Sequence, residues 1–363
     1  MPDDKSKTAL KGLVLAGGKG TRLRPFTYTG AKQLVAVANK PILFYAIEEL
    51  VACNVTEIGI VVGETKEEVA EAVGDGSRFG ARVTYIDQPV PLGIAHGIKV
   101  SKDFLDDSPF VLFLGDNFIK EGIATYVERF RTGRHAALVL LCPVERPQDF
   151  GVAELDGERL VRVLEKPAAP PSNLAVIGIY FFDARVFDAI DRITASARGE
   201  LEITDTIQRL IDDGLDVRAE AITGRWIDTG KHDDLLEANN LILEDLMPAM
   251  HGHHDSMTVI RGRVVLQEGA EVVNSHIQGP VIIGERTRIV NAYIGPFTSI
   301  YHDCLVTNTE ISGSVVLENT RIEDVGRRIE HSLIGRNVEL RGHDRRPHGY
   351  ALILGDFSKL HMP

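Results

Sequence analysis

Cysteine is scarce in this chain of 363 residues, and long apolar runs are missing altogether. Its three cysteines, Cys53, Cys142 and Cys304, are an odd number, far apart and set in apolar surroundings; they predict reduced core thiols of a cytoplasmic protein, not a disulfide framework. No stretch approaches the roughly 20 apolar residues of a membrane span, and residues 1–8 are polar, without the apolar segment of a signal peptide, so a soluble, cytosolic protein is expected. An excess of positive charge is also lacking: 40 Lys and Arg face 52 Asp and Glu, a formal charge of −12, which argues against nucleic acid or an anionic membrane as partner. An acidic chain can still bind triphosphates, because that needs only a local basic site and a metal ion.

Such a basic site stands at residues 12–32, GLVLAGGKGTRLRPFTYTGAK. Leu13–Ala16 read as a buried strand, and the glycines after it let the backbone turn sharply and approach a ligand. Free N–H groups of a glycine-rich turn suit phosphate, and Arg22, Arg24 and Lys32 add charge-assisted donors. Two familiar phosphate motifs fail here. A P-loop requires Gly-Lys-Ser/Thr where Gly18-Lys19 runs into Gly20, and a dinucleotide fingerprint from Gly18 requires a small residue where Leu23 stands. A lone glycine turn has about even odds of being mere punctuation; the basic residues behind it shift the reading to phosphate.

From Leu10 to about Met247, short apolar runs alternate with amphipathic stretches, which predicts an α/β domain with a mostly parallel sheet. Expected strands are Gly12–Ala16, Glu57–Val62, Val83–Asp87, Phe110–Leu114, Ala136–Pro143 and Ile177–Phe182; expected helices are Ile42–Ala52, Lys66–Val73, His96–Ser101 and Ile203–Asp213. Such sheets bind ligands at the carboxyl ends of their strands. Gly115-Asp116-Asn117 follows one strand, and Asp228 in RWIDTG ends another short apolar run. An Asp there is more often a cap or turn former, but beside a triphosphate loop two aspartates supply a Mg²⁺ site.

Leu15-Ala16-Gly17-Gly18-Lys19-Gly20-Thr21-Arg22-Leu23, with Pro25 and Lys32-Gln33-Leu34, closely resembles the signature of the sugar-1-phosphate nucleotidylyltransferases, and most of all that of the glucose-1-phosphate thymidylyltransferases. The resemblance implies a Rossmann-like core whose loop wraps the nucleoside triphosphate through Leu15, Gly17, Gly18, Gly20 and Thr21, with Arg22 on its β/γ-phosphates and Lys32 near the reacting phosphate. It assigns Asp116 and Asp228 to Mg²⁺. Gln88-Pro-Val-Pro-Leu-Gly93 resembles the base-reading segment, which gives Gln88 and Gly93, with Gln33, to the pyrimidine; by itself it reads equally as a rigid proline loop. An amide satisfies the donor–acceptor edge shared by thymine and uracil without separating them.

Farther on, Asp149-Phe-Gly151 and Leu164-Glu165-Lys166-Pro resemble the sugar site, which implies that Gly151 and Glu165 hold hydroxyls and Lys166 the sugar phosphate. Asn117, Val176 and Tyr180 complete that pocket by the same likeness. Related enzymes often carry Tyr where this chain has Phe150, so one hydroxyl is missing. Gly199-Glu-Leu-Glu-Ile-Thr-Asp205 also matches, and Thr204 or Asp205 reads most simply as a helix cap.

Past a linker expected at 248–256, whose three histidines have no acids or cysteines at ligand spacing, the period changes. Ile283-Gly284, Ile294-Gly295 and Ile334-Gly335 each begin a unit with the next aliphatic six residues on, while Ile311, Val316, Ile322 and Ile329 fit more loosely. Hexapeptide repeats predict a parallel β-helix, which the resemblance makes left-handed. The expected organisation is therefore a catalytic domain at 9–247, a β-helix at 257–345 and a tail at 346–363, of which Gly349–Pro363 is expected to pack against the prism or a neighbour. Some hexapeptide domains are acyltransferases, and His276, His302 and His331 are the candidates, but single histidines on a coil are more often surface residues; oligomer contact or regulation is the stronger expectation.

The likeness to long-form thymidylyltransferases covers the whole chain and implies Mg²⁺-dependent conversion of dTTP and α-D-glucose 1-phosphate to dTDP-glucose and pyrophosphate, by a homo-oligomer, dimer or tetramer. Two alternatives stand beside it: the same chemistry with UTP or another sugar 1-phosphate, and a non-catalytic sugar-nucleotide sensor. Arg22, Lys32, Asp116, Lys166 and Asp228 together weigh against the sensor.

Overall fold

A computed structural model describes residues 9–342, apart from Lys19, Thr29 and Glu158, together with 355–361. The chain divides into two compact units, Met1–Lys19 with Leu43–Asp228, and Gly20–Ile42 with Thr229–Pro363. Compactness and sequence period thus divide the chain at different places.

The first unit is built on nine strands: β1 (Lys11–Leu15), β2 (Glu57–Val62), β3 (Arg82–Asp87), β4 (Phe110–Leu114), β5 (Ala137–Pro143), β6 (Gly151–Asp156), β7 (Arg159–Glu165), β8 (Leu174–Phe182) and β9 (Val217–Ala221). Their order is β3-β2-β1-β4-β8-β5-β9-β7-β6. The β3-β2-β1-β4 side is parallel, as the alternation of apolar runs and amphipathic stretches requires, and β8 runs antiparallel between β4 and β5. Continuous apolar runs make these central strands because both faces are buried; Phe110, Val111, Leu112 and Phe113 are all but inaccessible. The hairpin β6–β7 is less visible in sequence, since its polar outer face breaks the apolar run. A separate ribbon pairs Asn117–Ile119 with Trp226–Asp228, antiparallel.

Helices form where apolar residues fall on one side. In Ile203–Asp212 the buried positions are Ile203, Thr204, Thr206, Ile207 and Leu210, a stripe of helical period laid on the sheet core. No helix among the described residues is long and apolar enough to cross a membrane. Cys53 and Cys304 are buried as expected, whereas Cys142 is only half-buried; all three are free.

In the second unit, three parallel sheets of short strands wind into a left-handed β-helix. Its inner ladders are Leu266-Ile283-Ile300-Val316, Val272-Ile289-Val306-Ile322 and Ile277-Ile294-Ile311, each residue fully buried. Ile334, by contrast, is only partly buried. Residues 249–254, anticipated as linker, already pair into the first coil, Ala249–Met250 on Val265–Leu266 and His253–His254 on Glu271–Val272. Parallel pairing needs only backbone groups, so polar, exposed histidines can join it. Corners turn through left-handed residues, among them Asn274, Asn291 and Asn308, whose amides form a ladder closed by Asp324. Asn tolerates that conformation better than most residues. Of the expected tail, 346–354, 362 and 363 lie outside the described residues; in 355–361, which are exposed, the Phe357 ring lies 6.1 Å from that of Tyr28.

Candidate active site

At the carboxyl end of β1 the backbone is crowded on both sides. A Cβ on Gly17 would sit 3.3 Å from the Gly63 nitrogen and 3.4 Å from Gln88 Oε1, so Gly17 leaves the Gln88 amide room beside the strand end. Gln88 is buried, and its Nε2 lies 2.9 Å from His96 Nδ1. Burial, and then the charge of Lys99, hold the His96 pKa below its usual value, so the ring is neutral near pH 7 and Nδ1 can accept from the amide. Gly93 closes the 88–93 loop against the stretch before Ile203–Asp212. Its φ is +102°, and a Cβ there would lie 2.5 Å from the Leu201 oxygen, while Leu201 N–H donates to the Leu92 oxygen at 2.7 Å.

Beyond β4, Asp116 and Asn117 are both buried. Asn117 stands opposite Asp228 in the ribbon, donates from Nδ2 to Asp116 Oδ1 at 3.1 Å and accepts from Trp226 Nε1 at 2.7 Å. Space for its amide comes from Gly178 on β8, where a Cβ would fall 2.5 Å from Asn117 Oδ1. The two aspartates are thus tied to one ribbon. Among the described residues no cluster of three His, Cys, Asp or Glu could hold a metal alone. Two carboxylates nevertheless fit a Mg²⁺ ion that completes its shell with water and substrate phosphates.

A third group gathers where β7 ends beside the start of β6. Glu165 pairs in register with Gly151, whose missing side chain matters: a Cβ would strike Thr204 Cγ2 at 2.7 Å and approach Glu165 Oε2 at 3.5 Å. Glu165 accepts from Thr204 Oγ1 through Oε2 at 3.1 Å and from Arg198 through Oε1 at 2.9 Å, and Lys166 Nζ stands 3.8 Å from the same Oε1. Lys166 has φ +39° and its N–H donates to the Phe150 oxygen, while Phe150 meets the edge of Trp226. Buried Tyr180 stays protonated, because burial and then the Glu165 charge push its phenol well above the usual range. Val176 on the same strand is buried as well.

Several of these partners escaped the sequence reading. Thr204 is no cap: the residue before the helix is Glu202, and Thr204 turns inward to Glu165. Glu202, itself buried, holds Arg198 at 2.9 Å and accepts from Ser196 Oγ at 2.6 Å. Asp205 is not a cap either, and burial, then Glu202 and Glu165, raise its pKa. An arginine two residues before the matched Glu200 was the available signal for Arg198, but nothing in spacing tells which carboxylate a loop arginine reaches.

The rest of the glycine loop belongs to the second unit. Gly20 takes φ +61° with Lys32 Cβ 2.8 Å from its virtual Cβ, and Thr27 Oγ1 donates to the Gly20 oxygen at 2.7 Å. Thr21 and Arg22 lie exposed in the short turn that follows; burial raises the pKa of Asp234, and the charges of Lys231 and then Arg22 act against that rise. Gln33 is 1% exposed, yet its Oε1 has no hydrogen-bond partner among the described residues. A buried acceptor left unpaired costs about 1–3 kcal/mol, which suits a group reserved for a ligand.

The nucleotidyl transferase family model matches residues 11–245. A glucose-1-phosphate thymidylyltransferase of Streptomyces griseus is 50% identical over 351 residues, 96% of this chain and 99% of the relative, and one of Streptomyces antibioticus is 51% identical over 97% and 99%. A Bacillus anthracis crystal structure, provisionally assigned as a glucose-1-phosphate thymidylyltransferase and solved with sucrose, superposes with a TM-score of 0.61 at 38% identity over 64% of this chain and 95% of that one.

Proposed function

The chain belongs to the nucleotidyl transferase family, and from that membership we propose that its reaction is that of a glucose-1-phosphate thymidylyltransferase, dTTP plus α-D-glucose 1-phosphate giving dTDP-glucose plus pyrophosphate. The observation that carries this reading is identity at half of all positions, along nearly the full chain, to two enzymes of that name.

The chemistry is one in-line displacement. An oxygen of the sugar phosphate forms a bond to the α-phosphorus, the bond to the bridging α–β oxygen breaks, and pyrophosphate leaves with that electron pair. A phosphate monoester is already ionised near neutral pH and needs no general base, so the protein contributes positioning and charge. Lys166 and Arg198, the two cations around Glu165, receive the sugar phosphate, while Glu165 and the Gly151 backbone take the hydroxyls, with Asn117, Val176 and Tyr180 lining the pocket. Leu15, Gly17, Gly18, Gly20 and Thr21 wrap the triphosphate, Arg22 steadies the departing phosphates and Lys32 stands by the reacting one. Gln88, Gly93 and Gln33 read the pyrimidine edge. Asp116 and Asp228 would hold Mg²⁺, which when bound supplies positive charge to the phosphate oxygens.

Pyrophosphate release with Mg²⁺, crossing dTTP and UTP against several sugar 1-phosphates, tests the reading. Preference for dTTP with glucose 1-phosphate is the expected result; another preferred pair moves the substrate, and no turnover favours a sensor. We further propose a cytoplasmic homo-oligomer, dimer or tetramer, for which a monomeric mass by light scattering is the contrary result.

A further inference from the structure

The segment Gly20–Ile42 leaves the end of β1 yet folds into the unit of the β-helix, and its ties run to the coils. Its hairpin turn, Ala38-Asn39 between Ala36–Val37 and Lys40–Pro41, is left-handed at both residues. Asn239, fully buried in the helix His232–Leu243, accepts from the Ala38 N–H at 3.1 Å and from Ser299 Oγ at 2.6 Å, and donates to the Phe297 oxygen at 3.1 Å. Asn39 Nδ2 donates to the Ile300 oxygen at 2.7 Å. Both asparagines therefore fasten the turn to one coil, and Ala38, Leu243 and Ile282 pack beside them.

A second fastening lies at the other end of the segment. The Arg336 guanidinium covers Gly30, where a Cβ would be 3.1 Å from it, and the Phe26 ring faces Gly335, the glycine of a hexapeptide. Lys32 and Gln33 fall between the two fastenings, and Gly20 is locked to the same stretch by Thr27 and Lys32.

We infer that the β-helix serves catalysis as the scaffold of the triphosphate loop, with Asn39 and Asn239 as positioning residues that set Lys32 and Gln33 through the turn at Ala38-Asn39. The inference rests on the reading that those two residues bind nucleotide. Its mechanism is preorganisation: a loop fastened at both ends loses less freedom when dTTP binds. Lys32 and Gln33 are assigned to the nucleotide and not to the sugar phosphate, so the effect is expected on one substrate.

Asn39→Gly tests it, because glycine keeps the left-handed turn while the amide tie disappears; Arg336→Ala removes the second fastening independently, should the first variant fold poorly. Steady-state KM for dTTP is expected to rise about tenfold in each, the scale of one hydrogen bond, with KM for glucose 1-phosphate within about twofold of wild type. An active wild type whose variants keep KM for dTTP, or raise both KM values alike, overturns the inference. A wild type that turns over no nucleoside triphosphate overturns the underlying reading and the inference with it.

Discussion

Asp116 and His96 show how differently a single side chain can matter. Asp116 is buried, yet its carboxylate is oriented by the Asn117 amide, so Asn at 116 preserves volume and removes charge alone. Asp116→Asn is expected to lower kcat at least about 100-fold with the melting temperature nearly unchanged, measured by pyrophosphate release and thermal unfolding; retained turnover would sink the metal assignment. His96 works through protonation. Its folded pKa lies below 6.5, so in the window between the two values the unfolded chain binds more protons, and stability falls as pH drops through that window. The same protonation removes the acceptor that steadies Gln88. KM for dTTP should therefore rise as pH falls through the lowered pKa of the folded ring, and His96→Phe should flatten that profile, whereas an unchanged profile would detach His96 from base reading. At Arg198 the expected loss is specific to one substrate: Arg198→Ala should raise KM for glucose 1-phosphate at least about tenfold and that for dTTP far less, since its bonds go to Glu165 and Glu202.

At the scale of elements, the expected strands Glu57–Val62 and Phe110–Leu114 and the helices Ile42–Ala52 and Lys66–Val73 stand in the structure at those bounds, because each is a long or clearly bounded apolar pattern. Elements with a polar face were harder to see: the β6–β7 hairpin and the first β-helix coil carry charged or histidine side chains outward. Loops hide most, since their partners are remote. Gly93 is a case in point, because only the position of Leu201 makes a side chain impossible there. Gly93→Ala is expected to cost about 1–3 kcal/mol in denaturant unfolding and to raise KM for dTTP, both from undocking of the 88–95 loop.

Over the whole molecule, two kinds of order hold the chain. The sheet core is one packed cluster from Leu13 to Val217, whereas the prism is stacked coils whose inner ladders repeat. Ile289→Ala, in the middle of a fully buried ladder, should cost about 2–5 kcal/mol of the β-helix, read by thermal unfolding, and should weaken dTTP binding if the coils scaffold the loop. Sequence alone was enough for the family, through the signature of the glycine loop, for the alternation that builds a mostly parallel sheet and for the six-residue period of the prism. Those signals are local: a turn needs its glycine, a strand its apolar run and a coil its repeat, whatever surrounds them. Tertiary structure alone decided that Thr204 and Arg198 converge on Glu165, that Asn117 is held by Trp226, and that residues 20–42 fold with the β-helix. Each of those pairs residues that are distant along the chain, and a side chain's partner is set by how the elements pack.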